Sequence, residues 1–202
     1  MMRKKPMLAY PVNKKQIDYS KPVFVQPKLD GVRCVIQYEN RPIVTDDLSG
    51  QLTENVVKAY SRTGKEWKNI NHILEQLKPF FAKYPFVILD GELYNHAFKD
   101  DFEQIISMVR KSKPTDEARL ISAENVQFHC YDIIDEKLTF DQRIDFINSS
   151  LMLMGDSIHT VDTHYLEEEV DTKIRHVINM DHGYEGSIVR TNEVYQCKRS
   201  HS

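Results

Sequence analysis

The stretch Gln26-Pro27-Lys28-Leu29-Asp30-Gly31-Val32-Arg33 decides how this chain is read. Val23–Gln26 and Val32–Tyr38 have the composition of strands, and Asp30-Gly31 breaks them apart. An Asp-Gly pair between two apolar runs is also the mark of an ordinary hairpin, with Lys28 in solvent. A lysine on a packed strand end has a second use. Desolvated or set near other cations, it sheds its proton and becomes a nucleophile. Arg33, five positions on, has the reach to hold a phosphate or a sugar hydroxyl.

Three further segments repeat the arrangement of polar residues delivered to a turn beside a glycine. They are Ser61-Arg62-Thr63-Gly64, Leu89-Asp90-Gly91-Glu92-Leu93, and Tyr184-Glu185-Gly186-Ser187-Ile188-Val189-Arg190. Glu92 and Glu185 sit in apolar sequence. A carboxylate there needs a cation, a hydroxyl or a metal, because burying it unpaired is costly. Two such carboxylates, a lysine and arginines suit phosphoryl or nucleotidyl transfer: the carboxylates hold Mg²⁺ and the cations neutralise phosphate.

Outward from these segments, strands and helices alternate. Pro42–Thr45 reads as a short strand and Asp46–Gly50 as a loop, and the whole of 46–60 reads as a loop of unclear role. Helices are expected over Asn69–Tyr84, Asp101–Lys111, Phe140–Met152 and Tyr165–Met180. Strands are expected over Phe86–Leu89, Asn125–Ile134 and Ile158–Val161, with a final pair at Ser187–Arg190 and Val194–Lys198. Several hairpin-like pairs favour an α+β class over a doubly wound sheet.

Composition sets the outer limits. The 202 residues are 41% hydrophobic and 28% charged, which marks one soluble globular domain. Lys plus Arg number 27 against 30 Asp plus Glu, a net charge of −3 that excludes a histone-like binder driven by bulk charge. Residues 1–22 form a basic segment preceding a domain over 23–202. Cys34, Cys130 and Cys197 include no CxxC pair, so a reducing cytoplasm is expected, with no disulfide framework. No apolar run suits a signal peptide or a membrane span. GxGxxG, GxxxxGK[ST], HExxH and GxSxG are all missing, and the eight histidines show no ligand spacing.

Lys28-Leu29-Asp30-Gly31-Val32-Arg33 resembles the KxDGxR motif of ATP-dependent DNA ligases and mRNA capping enzymes, the covalent lysyl-nucleotide transferases. Leu89–Glu92, Phe128–Ile133 and Glu185–Arg190 resemble the family's later motifs, in family order, with Arg190 where Lys is usual. The resemblance implies an ATP-grasp-like adenylation domain, mainly antiparallel sheets flanked by helices, with the nucleotide pocket between the sheets. It implies that Lys28 attacks the α-phosphate of ATP and holds AMP, which passes to the 5′-phosphate of nicked double-stranded DNA before the 3′-hydroxyl seals the nick. Arg33 and Glu92 would bind ribose, Tyr131 and Ile188 would pack on adenine, and Gln26 would read its edge. Glu92 and Glu185 would hold Mg²⁺ or Mn²⁺, and Arg62 would grip the 5′-phosphate. The chain would act as a monomer.

The family's closing KxK motif has no counterpart here. Tyr195…Lys198-Arg199-Ser200 resembles its lead-in, and Lys198 is a poor substitute. The expectation is a domain incomplete at its C-terminus, without an OB-fold, that seals nicks poorly. The other readings left open are an RNA ligase, a capping nucleotidyltransferase, and an inactive nucleic-acid-binding fragment.

Overall fold

Lys28 ends a strand that belongs to one sheet, and four residues later the chain enters another. The computed structural model describes residues 4–11, 17–42 and 53–197. β1 (Val23–Lys28) is the middle strand of a three-stranded antiparallel sheet, between β7 (His164–Leu166) and β8 (Gly186–Thr191). β2 (Val32–Pro42) lies in a five-stranded sheet with β3 (Thr53–Tyr60), β4 (Ile88–Tyr94), β5 (Gln127–Ile133) and β6 (Ile158–Thr160), in the order β3-β2-β4-β5-β6. Among the described residues only the β5–β6 pair is parallel. The Asp30-Gly31 turn therefore joins two sheets and closes no hairpin. Gly31 is required there: a Cβ would stand 2.5 Å from the Leu93 carbonyl oxygen and 2.8 Å from Glu92 Cγ.

One face of the five-stranded sheet carries the main core. Cys34, Ile36, Ala59, Leu89 and Leu93 pack there against Ile70, Ile73, Leu77, Phe80, Phe81 and Ile105, all 0–1% exposed. Each aromatic ring sealed this way contributes about 2–3 kcal/mol of transfer free energy. The helices are α1 (Asn71–Gln76), α2 (Lys78–Lys83), α3 (Phe102–Val109), α4 (Asp116–Asn125), α5 (Phe140–Leu151) and α6 (Glu169–Asp181). The architecture is α+β, as expected. Among the described residues no helix is long and apolar enough to cross a membrane.

Five local expectations are revised. The helix expected over Asn69–Tyr84 is two helices meeting at Leu77, because Pro79 lacks the N–H that would continue the first. Residues 53–60 are a strand paired along β2. Pro42 ends β2, and the rest of the strand expected over 42–45, like the loop 46–50, lies outside the described residues. α4 escaped detection because the residues it buries are Ala118 and Ser122, while Leu120 and Ile121 face outward. Residues 164–166 pair with β1, and the helix begins only at Glu169.

The fifth revision is at the C-terminus. Residues 194–197 form no strand, and Lys198 lies outside the described residues. Tyr195 instead buries its ring, 1% exposed, beside Val35, Ile88 and Ile134. The described part of the basic N-terminal segment is docked as well. Pro6 is buried, the Met7 N–H donates to Tyr195 Oη at 2.6 Å, and Lys4 pairs with Glu136 at 2.7 Å.

Candidate active site

Antiparallel register brings the four quoted segments to one end of the two sheets. Lys28 faces Gly186 across the β1–β8 ladder, and its Nζ ion-pairs with the Glu185 carboxylate. The Glu185 N–H also donates to the Lys28 carbonyl at 3.1 Å, which pins the two backbones together. Both side chains are half-exposed, so the amine is open to a ligand. Ile188, half-buried on β8, stands opposite Gln26 on β1.

On the five-stranded sheet, Arg33 lies opposite Glu92, and Glu92 lies opposite His129. Burial pushes the Glu92 carboxyl up to about 8, against the opposing pull of Arg33 and, more weakly, of Lys28. At neutral pH it is therefore mainly protonated. Tyr131 Oη donates to Glu92 Oε2 at 3.4 Å. Its own hydroxyl is pushed up by burial and by Asp90.

A β-bulge sets Tyr131 in place. Asp90 pairs with Asp132 and Gly91 with Cys130, which leaves Tyr131 as the extra residue on β5. Gly91 permits the crossing, since a Cβ would meet the Phe128 ring at 2.6 Å. The bulge also turns the Asp90 and Asp132 carboxylates, both 0% exposed, inward beside one another.

Each buried carboxylate is held by arginine. Arg33 grips Asp90 with two hydrogen bonds, Nε–Oδ1 at 2.8 Å and Nη2–Oδ2 at 2.5 Å. Tyr195 Oη donates to Asp90 Oδ2 at 2.6 Å. Arg143, itself 1% exposed, binds Asp132 through Nε at 2.6 Å and Nη2 at 3.2 Å. Arg190 adds a third bond, from Nη1 to Asp132 Oδ2 at 3.1 Å. Burial raises the Asp132 carboxyl, and the two arginines counter it. Three guanidiniums against two carboxylates leave this seam with one net positive charge. With Glu92 mostly neutral, the floor of the site favours an anion.

Arg33 and Arg190 also cover the Tyr131 ring, with guanidinium carbons 5.3 and 5.5 Å from its centroid. Gln26 is 1% exposed and its amide is engaged. It donates to the Tyr131 carbonyl at 3.1 Å and to Thr163 Oγ1 at 2.9 Å, and it accepts from Arg190 Nε at 2.8 Å.

Arg62 stands apart, exposed in a tight turn after β3. The Gly64 N–H donates to the Ser61 carbonyl at 2.9 Å and the Ser61 N–H to the Lys65 carbonyl at 2.8 Å. Because Val35 pairs with Tyr60, this turn sits at the end of the sheet where β2 begins, the end that carries Arg33.

Among the described residues no three Asp, Glu, His or Cys side chains gather into a metal cage. Mg²⁺ is commonly kept by one or two carboxylates plus substrate phosphates. The half-exposed Glu185 beside Lys28 fits that mode. Glu92 fits it only when ionised. Sequence reasoning did not single out Asp90, Asp132, Arg143 or Tyr195 as site residues, although two of them lie inside the quoted motifs.

A family model described as "ATP dependent DNA ligase domain" matches residues 6–202. No curated protein matches the chain. Among solved structures, Pmar-Lig_PreS3 is 21% identical with a TM-score of 0.68, covering 98% of this chain and 45% of its own length. A Lig E DNA ligase described as binding DNA with a minimal scaffold is 19% identical with a TM-score of 0.68, covering 99% of this chain and 67% of its own. The ATP-dependent DNA ligase of bacteriophage T7 in complex with ATP is 15% identical with a TM-score of 0.65, covering 98% of this chain and 66% of its own. The chain thus spans about half to two thirds of these proteins, and the likeness is one of fold.

Proposed function

Because this chain belongs to the family of ATP-dependent DNA ligase domains, we propose that it charges itself with AMP at Lys28 and passes that AMP to the 5′-phosphate of a DNA nick. The observation that carries the reading is Lys28 at an open strand end, paired with Glu185 and followed five residues on by Arg33, which is held by the buried Asp90.

Lys28 leaves Glu185, and its neutral amine attacks the α-phosphorus of ATP in line. An N–P bond forms as the bond to the bridging oxygen breaks, pyrophosphate departs, and the amine gives up a proton. Such transfers demand positioning and charge neutralisation more than further covalent chemistry. Arg33 and Glu92 hold the ribose hydroxyls; a mostly protonated Glu92 can both donate and accept there. Tyr131 and Ile188 enclose the adenine, and Gln26, whose amide is held by Tyr131, Thr163 and Arg190, would read the base edge only by giving up one of those bonds. Mg²⁺ or Mn²⁺, when bound, neutralises phosphate charge; Glu185 is the carboxylate that would hold it, joined by Glu92 only when that carboxyl is ionised. Arg62 receives the nick's 5′-phosphate, whose oxygen displaces Lys28 from the AMP. The 3′-hydroxyl then displaces AMP and closes the strand.

The test is radiolabelling with [α-³²P]ATP. Wild type takes label and Lys28→Ala takes none; label retained by the variant would remove Lys28 from the nucleophile's role. A nicked DNA against a nicked RNA acceptor then separates DNA ligation from RNA ligation.

A further inference from the structure

The first and last described segments meet on the face of the five-stranded sheet that carries Arg33 and Glu92. Val35 on β2 and Ile88 on β4 alternate in phase with those two residues. Met7, Tyr195 and Cys197 pack on Val35, Ile88 and Ile134. Neither segment is a strand or a helix there. Residues 194–197 therefore have no ladder of their own. The Tyr195 N–H reaches the Asp135 carbonyl at 3.3 Å, and Arg143 Nη1 donates to the Glu193 carbonyl at 2.9 Å. Residues 4–8 add a second hold, which reaches the site itself.

A phenol hydroxyl has one hydrogen to give and two lone pairs to fill. At Tyr195 all three are used. The O–H donates to Asp90 Oδ2 at 2.6 Å, and the oxygen accepts from the Met7 N–H at 2.6 Å and from Arg33 Nη2 at 3.4 Å. Arg33 Nη2 stands between that oxygen and Asp90 Oδ2. An unbroken chain of hydrogen bonds thus runs from the main chain at Met7 to the guanidinium of Arg33, and bonds in such a chain strengthen one another. Outside it, Lys4 pairs with Glu136 at 2.7 Å, just past the end of β5. A segment that merely covered apolar surface would need the Met7 side chain alone. Here its N–H is given to the one hydroxyl that also holds Asp90.

We propose that residues 4–8 are a positioning segment for the nucleotide: docked, they fix the Tyr195 hydroxyl and, through Asp90, aim Arg33 at ATP. The proposal rests on the ligase reading above, which gives Arg33 the ribose. Met7 acts through Tyr195 and is a positioning residue. Such coupling is reciprocal, so whatever factor docking adds to ATP affinity, ATP adds to docking.

The experiment is single-turnover labelling of the full chain over a series of [α-³²P]ATP concentrations, which separates half-saturation from maximal rate. Met7→Pro removes the N–H. One net hydrogen bond corresponds to about 2–10-fold in an equilibrium constant, so half-saturating ATP should rise by that factor while the maximal rate holds. K4E sets a carboxylate against Glu136 and should raise it by about 2–5-fold, and K4E/E136K should restore it. That pair keeps the test available if Met7→Pro does not fold. Hydrogen exchange of the N-terminal peptide is followed with α,β-methylene-ATP, whose bridging carbon cannot leave. Exchange should slow by a factor comparable to the shift in half-saturation. Unchanged half-saturation in Met7→Pro and K4E, a lower maximal rate at unchanged half-saturation, or no restoration in K4E/E136K would overturn the proposal. So would exchange that is indifferent to the analogue. If wild type takes no label while the analogue still slows exchange, transfer at Lys28 is refuted and the positioning segment stands.

Discussion

Glu92→Gln should make folding stability less dependent on pH. Burial holds the Glu92 carboxyl at about 8 in the folded chain, against an ordinary value of 4.5. Between these limits the folded chain keeps a proton that the unfolded chain has released. Stability therefore falls as pH rises through that window, is independent of Glu92 below about 4.5, and levels off above about 8. The full slope for one group is about 1.4 kcal/mol per pH unit, so from pH 5.5 to 7.5 the carboxyl costs up to about 3 kcal/mol. Glutamine copies the protonated acid in shape and keeps a hydrogen-bonding group beside Tyr131. Urea unfolding at each pH, taken as wild type minus variant, cancels titrations common to both. The difference should widen against wild type by about 1–3 kcal/mol over those two units. A flat difference, or one that moves in wild type's favour, would refute the burial argument.

The buried seam makes two further predictions. Asp132→Asn leaves the buried Arg143 and Arg190 without their shared carboxylate, and should cost about 3–5 kcal/mol in urea unfolding; a loss under about 1 kcal/mol would show that the carbonyls of Leu138 and Glu193 suffice to hold Arg143. Tyr195→Phe removes the donor to Asp90 and orphans the Met7 N–H, at about 1–3 kcal/mol; because Asp90 also aims Arg33, KM for ATP should rise while the rate at saturation holds, and an unchanged KM would free Arg33 from that linkage.

Much of the site was legible because its residues lie in short runs whose chemistry is local. Lys28, Arg33, Glu92 and Glu185 were each marked by a glycine beside a charge in apolar sequence, and the structure brings them together across the two sheets. The supporting seam was not legible. Arg143 and Arg190 meet Asp132 from 11 and 58 positions away, and only tertiary packing selects those pairs from the many charges available. The bulge at Tyr131 is likewise a matter of register between β4 and β5, which no single strand reveals. The fold shows the same division. Strongly periodic segments such as α3 and α5 were evident. α4 hid its contact face in Ala118 and Ser122, and 164–166 looked helical until β1 claimed it as a neighbour.

In the proposed reaction Lys28 is the group that takes AMP from ATP and passes it on. Intact-mass spectrometry after incubation with ATP and Mg²⁺ tests it most directly. A gain of one AMP is expected, mapped by peptide analysis to Lys28 and lost in Lys28→Ala. An adduct on another residue, or no adduct on a folded chain that still binds ATP, would contradict it.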